Sequence, residues 1–106
     1  MPLVRTGLLA IPDPEKQEKA INAFTTIKDK ALKNGAPYIL SSKAAKCTVA
    51  SDKPGSGVAW TVVYMLSFAS KEDEQYCTKE DRVIQEMREK AGVVEAAGYI
   101  SIVADI

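Results

Sequence analysis

The chain carries few side chains able to do acid–base or nucleophilic chemistry, and their types narrow the reactions open to it. There is no histidine among its 106 residues. This excludes Ser-His-Asp and Cys-His triads, zinc sites built on imidazole and haem with a histidine ligand. Arg5 stands among apolar neighbours in Leu3 to Ile11. A guanidinium there either snorkels to a sheet edge or is placed in a cleft, where it would hold a carboxylate or stabilise an enolate oxygen. Tyr64 and Tyr76 are phenols that donate or relay a proton, a task made easier beside a guanidinium; the alternative is core packing with a satisfied hydroxyl. Lys28 borders an apolar stripe and reads more simply as a surface lysine. Glu80 and Asp81 fall at an expected helix N-terminus, which favours their ionised form and makes them weak bases. Cys77 has no base beside it and reads as a small buried residue rather than a nucleophile.

These groups need elements to hold them, and the hydrophobic pattern supplies four strands and three helices. Leu3 to Ile11 reads as a first strand, with Leu3, Arg5, Gly7 and Leu9 on one face. Pro12-Asp13-Pro14-Glu15 starts a helix, Asp13 as N-cap and Pro14 in the first helical position. Ala20, Ile21, Phe24, Ile27, Ala31 and Leu32 form its stripe, and Asn34-Gly35 is expected to close it with Gly as left-handed cap. Tyr38 to Val49 is a second strand of edge character, marked by Ser41, Ser42, Lys43 and Lys46. The connection Ser51 to Gly57 has two glycines but no Gly-Lys-Ser/Thr and no helix after it, so it is not a phosphate loop.

The third strand starts at Trp60. Trp60, Val62, Tyr64, Leu66 and Phe68 share one face; Thr61, Val63 and Met65 share the other. A strand with one wet face alternates apolar with polar, and this one does not, so both faces of its sheet should be covered. Ser70-Lys71-Glu72-Asp73 and Thr78-Lys79-Glu80-Asp81 each fit a capping box, which implies two short helices or one broken at Cys77–Thr78. Val83, Ile84, Met87 and Ala91 form the last apolar stripe, with Arg82, Glu86, Arg88, Glu89 and Lys90 on its wet side and Gly92 as its cap. Tyr99 to Ile106 is the fourth strand.

Strand–helix–strand twice in one small domain, residues 1–106, predicts an α+β fold: the ferredoxin-like βαββαβ arrangement with a four-stranded antiparallel sheet. Right-handed crossovers put the helices on one face and leave the other bare, and a second copy packed sheet against sheet is the simplest cover. Composition adds exclusions. The net charge is zero, with 14 basic and 14 acidic residues, and no basic run suggests nucleic acid. No stretch has the 18 or so apolar residues of a membrane span, and the N-terminal apolar run is too short for a secretory signal. Cys47 and Cys77 read as free thiols of a reducing, cytoplasmic protein.

Three stretches resemble the stress-responsive A/B barrel family of dimeric α+β barrels, fungal members above all. They are the opening MPLVRTGLLAIPDPEKQEK, the run SFASKEDEQYCTKED at residues 67–81, and the close IVADI at residues 102–106. The resemblance covers nearly the whole chain. It implies a homodimer whose ligand site is the cleft between helices and sheet. The family includes plant stress proteins that form stable oligomers and cofactor-independent enzymes such as olivetolic acid cyclase, and related barrels include cofactor-free monooxygenases. By position, Arg5 stands where the family's strand-one histidine would be, and Tyr76 matches its helix-two tyrosine. Val62 stands where strand three often has another histidine, and Arg82-Val83-Ile84 replaces a proline-alanine-histidine. The imidazole base is therefore missing.

The expected site has Arg5, Tyr64 and Tyr76 as catalytic groups and Leu9, Phe24, Ile27, Lys28, Leu66 and Ile84 as substrate-binding walls, with no metal and no cofactor. That is an apolar pocket with a few polar groups. The function expected of it is a cyclase or lyase of a natural-product pathway, acting on a polyketide-like or otherwise hydrophobic intermediate. The alternatives are a non-catalytic stress-responsive oligomer or ligand-binding protein, and a cofactor-free monooxygenase.

Overall fold

A computed structural model describes residues 3–53, 55, 57–93 and 96–106. Strand β1 (Leu3–Ala10) leads into helix α1 (Pro14–Lys30). A tiny hairpin, β2 (Leu32–Lys33) and β3 (Ala36–Pro37), precedes strand β4 (Ile39–Lys46). Strand β5 (Val62–Phe68), helices α2 (Lys71–Lys79) and α3 (Arg82–Lys90) and strand β6 (Gly98–Asp105) complete the chain. The four long strands pair antiparallel in the order β4-β5-β1-β6. This is the ferredoxin-like βαββαβ fold that the repeated strand–helix–strand pattern implies. Pro54 and Ser56 of the glycine-bearing connection lie outside the described residues.

Local chemistry sets the helix ends. Asp13 Oδ1 accepts from the Glu15 amide at 2.9 Å, with Pro14 opening α1. Ser70 Oγ accepts from the Asp73 amide at 3.2 Å and starts α2. Two expectations are corrected here. Asn34-Gly35 does not close α1, which stops at Lys30 with Ala31 already extended. Asn34 (φ 54°) and Gly35 (φ 79°) instead turn the β2–β3 hairpin, the two left-handed residues that an Asn-Gly hairpin turn demands. Leu32, beyond the helix, is therefore exposed. Nor does Thr78 start a helix. Its hydroxyl donates to the Glu74 carbonyl at 3.0 Å inside α2, and Asp81 caps α3 by accepting from the Val83 amide at 2.9 Å. Asp81 wins because its neighbour Glu80 is the first residue off α2, so the break falls after Lys79. Gly92 (φ 73°) follows α3 in the left-handed cap conformation.

The core lies between the helices and one face of the sheet. Phe24 and Ile27 of α1, Val62, Leu66 and Phe68 of β5 and Cys77 of α2 are almost wholly buried there. Trp60 and Thr61 precede β5 rather than belong to it, yet Thr61 still ties the end of β1: its amide donates to the Leu9 carbonyl and its hydroxyl to that of Ile11. On the opposite face no helix packs. Met65 of β5 and Ile100 and Ile102 of β6 stay exposed, Ile102 by 63%. The apolar pattern on both sides of β5 thus has one face inside and one face open. Among the described residues no helix is long and apolar enough to cross a membrane.

Under α2 and α3, the buried Tyr38 hydroxyl donates to Asp81 Oδ2 at 2.5 Å. Burial, reinforced by that bond, raises the Tyr38 phenol above its ordinary value, and burial pushes the Cys77 thiol up to about 11. Both groups hold their protons more firmly in the fold than in the unfolded chain, where the thiol titrates near 9.0. The stability the Cys77 thiol contributes is complete below that value and is lost as pH rises through about 11. The urea midpoint should fall between pH 9 and pH 11; a midpoint that stays level or rises over that range contradicts this account.

Candidate functional site

The side chains able to act together gather on the helix-facing side of β1 and β5. Arg5 lies on β1 in register with Leu66 on one side and Val103 on the other. Its Nη1 donates to Glu74 Oε1 at 3.0 Å and to Thr78 Oγ1 at 3.3 Å. Glu74 and Thr78 are one turn apart on α2, so both reach the same guanidinium. Both charged side chains are largely buried, at 19% and 9% exposure. Burial by itself works against the Arg5 charge. The neighbouring Tyr64 phenol and the Glu74 carboxylate outweigh it and hold Arg5 above its ordinary value. Removing one partner of such a pair leaves an uncompensated buried charge, which costs more than the pair itself contributes.

Tyr64 is clamped between two surfaces. One face of its ring stacks on Phe24, centroids 4.1 Å apart and planes 16° apart. The other covers Gly7, the neighbouring residue on β1, so closely that a Cβ there would lie 2.0 Å from Cε2 of the ring. A glycine inside a strand often marks this kind of close approach. Gly7 is therefore part of the site although it carries no side chain.

Between these groups lies a cavity of about 30 Å³. Arg5, Leu9, Phe24, Tyr64, Leu66 and Ile84 line it, six of the nine residues expected from the sequence. The other three are elsewhere. Ile27 is in the core and faces a separate groove of about 310 Å³ between α1 and α3, with Ala23, Val83 and Met87. Lys28 is exposed on the outer side of α1. Tyr76 is turned away from the cavity because residues advance about 100° around a helix, and Glu74, Cys77 and Thr78 already take the inward side of α2. Its hydroxyl donates to the Leu32 carbonyl at 3.4 Å, its ring meets that of Tyr38 edge-on, and the Lys33 ammonium sits 5.5 Å from its centroid. Tyr76 and Arg5 do not share a cleft.

Besides Gly7 and the lining residues Cys77, Val93 and Tyr99, three polar side chains absent from the sequence expectation belong here: Glu74, Thr78 and Arg88. The spacing of Glu74 and Thr78 was visible, but nothing local to α2 shows that Arg5 lies beneath it. Arg88 follows the buried Ile84 by four residues, which is the signal that it shares the inward side of α3. Among the described residues no group of three or more Cys, Asp or Glu side chains is placed to hold a metal ion.

No family model and no curated protein sequence matches the chain. Its fold has clear counterparts among solved structures. Hydroxynitrile lyase from Passiflora edulis superposes with a TM-score of 0.71 at 10% identity, covering 99% of this chain and 93% of that one. A dimeric ferredoxin-like protein of unknown function from Thermobifida fusca gives 0.71 at 10% identity, covering 100% and 92%. A dabb family protein with a ferredoxin-like fold from Mesorhizobium loti gives 0.65 at 6% identity, covering 100% and 98%. At these identities the likeness is one of fold, and the resemblance to stress-responsive A/B barrels stands at that level.

The packing of Tyr64 on Gly7 yields a direct check. Gly7→Ala must drive the ring against Phe24 and displace it from this slot, an overpacking that costs roughly 1–3 kcal/mol. Urea unfolding should show a loss of that order; wild-type stability would mean that the ring does not lie where it is described.

Proposed function

We propose that this chain is a cofactor-independent small-molecule enzyme of lyase or cyclase type, acting in the helix–sheet cleft on a hydrophobic, polyketide-like carbonyl intermediate. The observation that supports it most is the Arg5 cradle: a guanidinium fixed by Glu74 and Thr78, beside a clamped phenol, at the wall of a cavity that also carries apolar side chains. In an aldol-type ring closure or its reverse, a C–C bond forms or breaks while negative charge develops on a carbonyl-derived oxygen. Arg5, oriented in advance, stabilises that oxygen. The Tyr64 hydroxyl relays the proton, donating its own to that oxygen as it accepts the one released from carbon, and the reverse in cleavage. Glu74 sits behind Arg5 rather than on the cavity wall, so it is a positioning residue. Tyr76 has no part. The same fold serves a hydroxynitrile lyase in Passiflora edulis.

A volume of about 30 Å³ holds a water, not an organic substrate. Substrate therefore enters by displacing a wall, and Tyr99 is the one that yields. It is 66% exposed on β6 and has little packing to lose. The same small volume favours a second reading, a non-catalytic oligomer or binding protein in which the cleft is core. In both readings the open sheet face seats a second copy. Met65, Ile100 and Ile102 are the apolar residues that a partner would cover, each side chain contributing about 1.5–3 kcal/mol on full burial. The Thermobifida fusca counterpart is a dimer.

Two measurements test this account: the first separates the two readings, the second tests the sheet face they share. The first is turnover of a panel of cyanohydrins and linear polyketide thioesters. Wild type should turn over at least one, Arg5→Met should lose on the order of 10²–10³-fold, and Tyr64→Phe about 10²-fold or more. The double variant Arg5→Met/Glu74→Gln, which leaves no buried lone charge, should be equally inactive while folded. Turnover undiminished in Arg5→Met removes Arg5 from the reaction, and no turnover of any substrate favours the second reading. The other measurement is light scattering at micromolar concentration. Wild type should have a dimer's mass and Ile102→Lys a monomer's; a monomeric wild type would overturn the assignment of the sheet face.

A further inference from the structure

The charge on the cavity wall is not balanced. Two guanidinium groups line the cleft, Arg5 and Arg88, and among the described residues no carboxylate does. Glu74 answers Arg5 from behind. Arg88 has no carboxylate partner among the described residues. Its position explains how it came to be there. On α3, Ile84, Arg88 and Ala91 recur at helical spacing, and Ile84 and Ala91 are buried. Arg88 is half-buried on that inward stripe, with Val93 and Tyr99 beside it on the wall. A cation drawn partly out of water without a counter-charge costs free energy, and a bound anion removes that cost.

We propose that Arg88 is the anion-recognising residue of this cleft and that the ligand carries a carboxylate on an apolar body. The guanidinium fork matches a carboxylate's two oxygens with two parallel hydrogen bonds. Tyr99, Val93 and Ile84 flank it with apolar surface for the rest of the molecule. The division of labour follows from the pairing. Arg5, neutralised by Glu74, faces the oxygen where charge develops transiently. Arg88, without a partner, holds the charge that is always there. This rests on the cleft being the ligand site, as proposed above, but not on the ligand being turned over.

The test uses benzoate and its uncharged counterpart benzamide as probes, titrated into isotope-labelled full-length protein and followed by amide shifts. Benzoate should perturb Thr78, Ile84 and Tyr99 and bind about tenfold or more tightly than benzamide. Arg88→Gln should erase that preference, and Arg88→Lys should keep part of it. Benzamide binding in the cleft with no preference for benzoate overturns the role of Arg88 and leaves the cleft as a ligand site. A preference that survives Arg88→Gln assigns the anion to Arg5 and also overturns it. No perturbation of the cleft by either probe, or shifts confined to the α1–α3 groove, sinks both the proposal and the reading it rests on.

Discussion

A guanidinium on a central strand has to be answered from the layer above it. Arg5 is on β1, flanked by β5 and β6, and cannot slip to an edge. The answer is Glu74, with Thr78 one turn along the same helix. This contact ties α2 to the sheet, because a single nitrogen, Nη1, bonds to both partners at once. It also decides the chemistry. Paired from one side, the guanidinium keeps its charge and orientation while its remaining edge looks into the cavity. Glycine at position 7 extends the arrangement, since only there can the Tyr64 ring lie flat against β1 under Phe24.

The two sides of the sheet divide the work. Helices cover the side that carries Arg5, Tyr64 and Leu66, where apolar packing isolates the polar groups. The other side shows Met65, Ile100 and Ile102 to solvent. Such a face is a poor surface for a lone subunit, and a partner there would stiffen the strands that hold the site. The site and the surface proposed for association therefore share strands but compete for no residue.

Much of this was legible in the sequence because periodicity carries it. The run Val62, Tyr64, Leu66 and Phe68 announced the core side of β5, and Asp13-Pro14 and Ser70 announced helix starts. What was missed is long-range or depends on competing local signals. Asn34-Gly35 suits a helix cap and a hairpin turn equally well, and the pairing of Leu32 with Pro37 decided for the turn. Thr78 has the type of a cap, yet its hydroxyl was claimed by Glu74 and Arg5. Tyr76 was drawn toward the cleft by its match to a family position, where helix geometry, counted from Glu74 and Cys77, turns it outward. Arg88 was assigned to water by its charge, although its spacing from Ile84 pointed inward.

The central claim is that the space beside the Arg5–Glu74 pair opens to admit a guest. A crystal structure of the protein grown with an excess of a hydrophobic aromatic keto acid tests it most directly. The account predicts ligand density between α3 and β1, an oxygen within hydrogen-bonding distance of Arg5, and Tyr99 swung off the cavity. A cleft still closed, with the ligand absent or seated in the groove between α1 and α3, would contradict it.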